Sequence, residues 1–201
     1  MPQMSLFSAE ARPAGLADLA GLLCGPGRIA RFGAGDTARL DVPLPHAGRE
    51  RALRAVVAAR DVTLRADEDG ASVRSAYRRD LVPLARAWTG PGGAKCVPAG
   101  FQLDGAALRL WALAAGCADL RGGYLLLLDP DAADTHGALV AATTRAGLPP
   151  ARLVAGECGV PGPALRIHGA RRVARLVELV GPAPSGLDPA EWPRYRARAA
   201  A

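Results

Sequence analysis

Arginine side chains recur on the polar side of several short segments in which apolar and polar residues alternate. In residues 37–42, for example, Arg39 and Asp41 alternate with Leu40. Successive side chains of a β-strand point to opposite faces, so each segment predicts a strand with one arginine-bearing face. Guanidinium groups on such a face bind phosphates and read guanine edges. The candidate contacts to an anionic partner such as double-stranded DNA are Arg28, Arg39, Thr63, Arg65, Arg74, Arg152, Arg166 and His168.

The number of arginines carries less weight than their placement. Arginine supplies 24 of the 25 basic residues, and residue types with GC-rich codons dominate the chain. This composition indicates a GC-rich genome, which enriches arginine whatever the function of the protein. The net charge of +6 favours an anionic partner without proving one. A solvated strand face populated by arginine therefore stays open as the alternative explanation.

The sequence contains no cluster with the spacing of a common catalytic or metal site. Neither Gly25-Pro26-Gly27 nor residues 90–93 is followed by the Lys-Ser or Lys-Thr pair of a phosphate loop. His46, His136 and His168 lie far apart, and the cysteines form no CxxC pair. We therefore predict no cofactor and no metal. Because the chain lacks a long apolar run and an N-terminal signal pattern, we expect a cytoplasmic protein without membrane contact.

Helix and strand patterns occur in the order αββαββα, and this order repeats along the chain. Related stretches are offset by about 90 positions, as between Leu19 and Leu108, which indicates internal duplication. The predicted fold class is α+β, with two pseudo-symmetric repeats. The chain then divides into a lead-in at 1–15, a first repeat at 16–89, a Gly/Pro-rich linker at 90–104, a second repeat at 105–181 and a Pro-rich basic tail at 182–201, which we expect to be loosely held.

The first helix of each repeat carries a motif that points to a known family. Residues 19–27, LAGLLCGPG, resemble the LAGLIDADG signature of homing endonucleases, and residues 108–116 stand where a second copy belongs. The resemblance implies that the two signature helices pack together at the centre and that the sheets form a saddle over DNA. It also implies that the helix interface consists of Leu19, Ala20, Gly21, Leu22, Leu108, Trp111 and Ala112.

The second motif is similar to that of one branch of this superfamily. Residues 111–117, WALAAGC, followed by Asp119 and a strand at Gly123-Tyr124, resemble the N-terminal domain of WhiA-type sporulation regulators. This implies a non-catalytic, transcription-regulatory, nucleoid-associated protein from an actinobacterial host. Those regulators also have a helix-turn-helix domain, for which the residues after Gly181 are too few. DNA recognition would then rest on the two-repeat body or on a partner.

The positions that carry acidic residues in the nucleases hold none here. In those enzymes, an acidic residue at the end of each signature helix holds magnesium at the scissile phosphates. The matching positions are Pro26 and Ala115, and neither side chain can bind a metal. Asp18 and Asp119 lie too far from these positions to replace them. The resemblance therefore implies a protein that is not an enzyme and binds DNA without cleaving it.

Residues 124–128 depart from the pattern of one polar face. The run YLLLL is apolar on both sides, which is typical of a covered strand or of a protein interface. The alternative function is therefore a protein-interaction or scaffold module that keeps the fold without binding DNA and uses this strand for contact. Because duplication supplies both halves of the saddle in one chain, we expect a monomer.

Overall fold

The computed structural model describes residues 8–9, 12–46, 48–154 and 162–194. In this part of the chain, the helices are α1 (Ala20–Cys24, preceded by a 3-10 turn at Leu16–Leu19), α2 (Glu50–Ala58), α3 (Val82–Trp88), α4 (Gly105–Ala115), α5 (His136–Arg145) and α6 (Ala170–Val180). The strands are β1 (Arg28–Phe32), β2 (Thr37–Pro43), β3 (Leu64–Ala66), β4 (Ser72–Ser75), β5 (Gly116–Ala118), β6 (Tyr124–Leu127), β7 (Ala151–Leu153) and β8 (Ala164–Ile167).

The two halves of the chain build the same sheet twice. The first sheet has the strand order β1-β2-β4-β3 and the second has the matching order β5-β6-β8-β7. All pairs of neighbouring strands are antiparallel. Each half follows the order αββαββα, so the predicted α+β fold with two pseudo-symmetric repeats is confirmed.

Strand β5 is absent from the sequence-based prediction. It has only three residues and follows α4 without an intervening loop, so it displays no alternating pattern. The offset between the repeats was the available signal, because it maps β1, which begins at Arg28, onto the residues just after α4.

The core lies between the helices and the inner faces of both sheets. In β2, the alternating residues Ala38, Leu40 and Val42 are buried, as the pattern of this strand predicts. The side chain of Trp111 is fully buried at the centre, where its indole Nε1 donates a hydrogen bond to the carbonyl of Leu127 at 2.9 Å. Helix α4 is thereby fixed against the second sheet.

The first part of the tail packs on the body, so the prediction of a loosely held end is wrong for these residues. Leu187 and Trp192 are buried, and the Trp192 indole donates to the carbonyl of Gly181 at 2.8 Å. Burial of these large apolar side chains stabilises the packing of the segment, although the sequence around them is rich in proline. Residues 195–201 lie outside the described part. None of the described helices is long and apolar enough to cross a membrane.

Candidate nucleic-acid interface

Strand register brings four of the predicted arginines onto one face of the first sheet. Arg28 pairs with Asp41, Asp41 with Arg74, and Arg74 with Arg65. Residues paired across antiparallel strands point to the same side, and Arg39, two positions from Asp41, shares it. On the opposite side, the central residues Leu40 and Val73 are buried. We call the surface that carries Arg28, Arg39, Arg65 and Arg74 the arginine face.

Carboxylates bind two of these four arginines. Arg28 forms an ion pair with Asp131, and its Nη2 lies 3.7 Å from Oδ1 of Asp129. The hydrogen bond to Asp131 raises the pKa of Arg28 above its ordinary value. Arg74 Nε donates to Oδ2 of Asp41 at 2.8 Å. A phosphate that approaches these two guanidinium groups therefore competes with carboxylates already in place.

Among the described residues, Arg39 is held by an aromatic ring and has no acidic partner. Its guanidinium carbon lies 4.7 Å from the ring centre of Tyr77, which is 4.9 Å from the ring centre of Phe32. The two rings are 41% and 63% exposed, so this cluster presents apolar surface beside a positive charge. The sequence analysis missed both aromatic residues. The sequence does contain one indication of this cluster. Phe32 follows Arg28 and Ala30 at alternate positions of β1, so it lies on the same face as Arg28.

Arg65 is the arginine on this face that is best placed to meet a phosphate. It is exposed in β3, directly opposite Arg74, and has no ion-pair partner among the described residues. Thr63 lies two positions earlier, is exposed and precedes the strand. Like charges placed opposite each other in a sheet repel, and an anion bound between them relieves that repulsion.

The second sheet differs from the first. Arg166 shares a face with its paired residue Leu125, and its Nε donates to Oδ2 of Asp119 at 2.5 Å. His168 follows the end of β8 and is partly buried. Arg152 pairs with Leu165 and so lies on the opposite face from Arg166, with Nη2 3.3 Å from Nδ1 of His136. The predicted contacts of the second repeat therefore do not form one surface.

The apolar strand of the second repeat is interior to the protein. β6 has a neighbouring strand on each side, and residues 124–128 are all no more than 5% exposed. The prediction that this strand contacts a protein partner is therefore wrong for this conformation, because neither its side chains nor a free edge is accessible. The interpretation as a strand covered on both sides is the correct one.

The predicted signature-helix residues meet at the centre of the fold. A Cβ atom at Gly21 would lie 1.9 Å from the carbonyl oxygen of Ala107, so only glycine permits this approach of α1 to α4. At the C-terminal ends of the two helices, a Cβ at Gly25 would lie 2.9 Å from the Cβ of Ala115. The remaining predicted interface residues are all buried: Leu19, Ala20, Leu22, Leu108, Trp111 and Ala112.

This close pair of helices, flanked by two matching sheets, agrees with a solved structure. The homing endonuclease I-WcaI, in a structure bound to its DNA recognition sequence, superposes with a TM-score of 0.59. The alignment covers 90% of this chain and 83% of that one, at 12% sequence identity. The chain has the fold of a LAGLIDADG homing endonuclease. No protein-family model and no curated protein matches the sequence.

The two positions that the sequence analysis matched to the nuclease acids lie at the ends of the signature helices. Pro26 follows α1, and Ala115 is the last residue of α4. The carboxylates closest to them in sequence are both bound to arginines: fully buried Asp18 by Arg60 at 2.8 Å, and Asp119 by Arg166. In the described part of the chain, no group of three or more His, Cys, Asp or Glu residues is placed to hold a metal ion.

Two cations that the sequence analysis missed lie at these helix ends. Lys95 Nζ donates to the carbonyl oxygens of Gly25 and Gly27, the second at 2.8 Å. Arg49 Nη1 donates to the carbonyls of Ala112 and Leu113, at 2.9 and 3.0 Å, in the last turn of α4. The C-terminus of a helix carries partial negative charge on its carbonyl groups and attracts positive charge. No local pattern marks Lys95, except that it is the only lysine in the chain.

Proposed function

We propose that this protein binds double-stranded DNA through the arginine face and does not cleave it. The observation that carries the proposal is the placement of four arginines on one face of the first sheet. Two of them, Arg65 and Arg74, lie opposite each other, and among the described residues Arg65 has no acidic partner. Composition explains how many arginines the chain has, but it does not explain why these four share a side. The DNA bound by I-WcaI, which has the same fold, supports the same class of partner here.

The absence of cleavage is the second part of the proposal. Two-metal phosphodiester cleavage requires oxygen ligands on both sides of the metal cluster, and Pro26 and Ala115 supply none. The ammonium of Lys95 adds positive charge at the end of α1, which disfavours a dication there. A protein that binds DNA without cutting it serves regulation or organisation of the chromosome. The resemblance to WhiA-type regulators favours transcription regulation by a nucleoid-associated monomer.

A duplex mobility-shift assay at low and moderate salt tests DNA binding. We expect a shift at low salt that weakens steeply as salt rises, because phosphate contacts release counterions. Replacing Arg39, Arg65 and Arg74 together with alanine should abolish the shift. The matched control replaces Arg51, Arg86 and Arg171, three exposed arginines on helices, and removes the same charge.

Each outcome of this assay has a distinct meaning. If no DNA shifts at low salt, the protein does not bind DNA and the scaffold function becomes the better explanation. If both triple variants lose binding equally, net charge and not the arginine face is responsible. Cleavage of bound DNA after addition of magnesium would contradict the non-catalytic part of the proposal.

A further inference from the structure

Three oxygen atoms converge on the ammonium group of Lys95. They are the carbonyl oxygens of Gly25 and Gly27 and Oδ2 of Asp129, the last at 3.2 Å from Nζ. The Lys95 side chain is 11% exposed and that of Asp129 is 3% exposed. Burial lowers the pKa of Lys95, and the negative charge of Asp129 opposes this effect. The geometry is that of a small cation held in an oxygen-lined site.

The chemistry of these donors suits a compact cation. Carbonyl and carboxylate oxygens are the ligands that hard divalent cations prefer. An ammonium group has three N–H donors on one atom and can serve three such oxygens, whereas a guanidinium group is planar and spreads its donors over a fork. In a chain with 24 arginines, the one lysine stands at the point on which these three oxygens converge.

The oxygen atoms around Lys95 lie at the end of the first signature helix. Gly25 and Gly27 flank Pro26, which the resemblance to homing endonucleases matches to a metal-binding acid. The donors that remain there do not fit a divalent metal, because the ammonium already occupies the point on which they converge. Arg49 supplies a second buried positive charge at the end of α4. Each signature helix therefore ends against a side-chain cation.

We propose that the ammonium of Lys95 takes the place of a divalent cation at the end of the first signature helix, so that neither the fold nor its DNA binding depends on a divalent metal. The DNA part of this inference rests on the proposed function, whereas the part that concerns the fold does not. Lys95, Asp129 and Arg28 line a cavity of about 320 Å³ beside the site.

The test removes the ammonium and offers a metal in its place. Lys95→Ala leaves the three oxygens facing a space, and we expect Mn²⁺ to raise the Tm of this variant by about 3 °C or more, because a ligand that binds only the native state stabilises it. Wild-type protein should show no such rise. Lys95→Met, which fills the space without a charge, is the matched control and should not respond to Mn²⁺.

Two further measurements make the result decisive. Electron paramagnetic resonance should detect no bound Mn²⁺ in the wild-type protein, and this experiment needs no variant that folds poorly. Adding Asp129→Asn to Lys95→Ala should remove the Mn²⁺ response. A wild-type protein that binds Mn²⁺ and is stabilised by it, or a folded Lys95→Ala variant that ignores Mn²⁺, would overturn the inference.

The DNA arm compares wild-type affinity in EDTA and in magnesium at equal ionic strength. We expect the two affinities to agree within about twofold, and a strict requirement for magnesium would contradict the inference. If the protein binds no DNA under either condition, the proposed function fails. The Mn²⁺ measurements on the protein alone then still decide whether Lys95 replaces a metal.

Discussion

Arg65 and Arg74 lie directly opposite each other in neighbouring antiparallel strands, and in the described structure only Arg74 has an acidic partner. Such a pair of like charges destabilises a sheet unless an anion lies between them. The repulsion between the two arginines should therefore lower the free energy of unfolding slightly when no anion is bound. Stability measurements on variants of the arginine face can detect this effect.

Replacing Arg65 with alanine should weaken DNA binding without lowering stability. The free energy of unfolding should stay constant or rise by about 0.5 kcal/mol, because the repulsion from Arg74 is removed. In contrast, DNA affinity should fall, and the salt dependence of log K should lose about one unit of slope, as expected for one phosphate contact. Urea denaturation and fluorescence anisotropy measure the two quantities. Unchanged affinity, with Arg51→Ala as the reference, would remove Arg65 from the interface.

Replacing Asp41 with asparagine should strengthen DNA binding. This change removes the carboxylate that holds Arg74 at 2.8 Å and leaves the guanidinium available to a phosphate. Because the pair is partly exposed, the free energy of unfolding should fall by no more than about 1 kcal/mol. An affinity below that of the wild type would mean that Asp41 orients Arg74 for binding and does not compete with DNA.

Replacing Gly21 with alanine should destabilise the protein by about 3 kcal/mol or more. The new Cβ would lie 1.9 Å from the carbonyl oxygen of Ala107, so the two signature helices must separate. Gly137→Ala in α5 is the matched control, because its Cβ would meet no atom within 4 Å. That change should leave stability constant or raise it by about 0.5 kcal/mol. Equal unfolding midpoints for the two variants would show that the helices do not pack as closely as described.

Stability should decrease as pH is lowered through about 6.5, the ordinary pKa of histidine. Burial, and then the positive charge of Arg49, lower the pKa of His46, while Glu191 opposes them. The unfolded chain therefore binds a proton more readily than the native protein, so acid favours unfolding in this range. His46→Gln should flatten the dependence of the free energy of unfolding on pH between about 5 and 7. An unchanged slope would assign the effect to another group.

The sequence predicted what depends on local pattern and missed what depends on long-range contact. Alternation in β2 identified Arg39 and Leu40 as lying on opposite faces, and the spacing of the repeats gave the fold class. The partners of the arginines were not predictable in this way. Asp131 lies 103 positions from Arg28, and Lys95 is 70 positions from Gly25, so no window of sequence contains either pair.

The packing of the tail was missed for a related reason. Proline-rich sequence has no periodicity. The burial of Trp192 becomes visible only in the fold, where its indole donates to the carbonyl of Gly181 and the guanidinium carbon of Arg109 lies 5.3 Å from its ring centre. Arg152 shows the opposite error. It was grouped with the other candidate contacts, but the register that sets which face it joins comes from pairing with β8.

Arg49 has a consequence for how the duplicated halves coexist. Its guanidinium, which belongs to the first repeat, is almost fully buried, bonds to the end of α4 in the second repeat and forms an ion pair with Glu191 of the tail at 3.3 Å. Separated from α4, the first repeat would keep a positive charge without its acceptors, and the second would lose the cation at the end of its signature helix. Each half therefore depends on the other for the contacts of this charge, and the two halves should unfold in a single calorimetric transition.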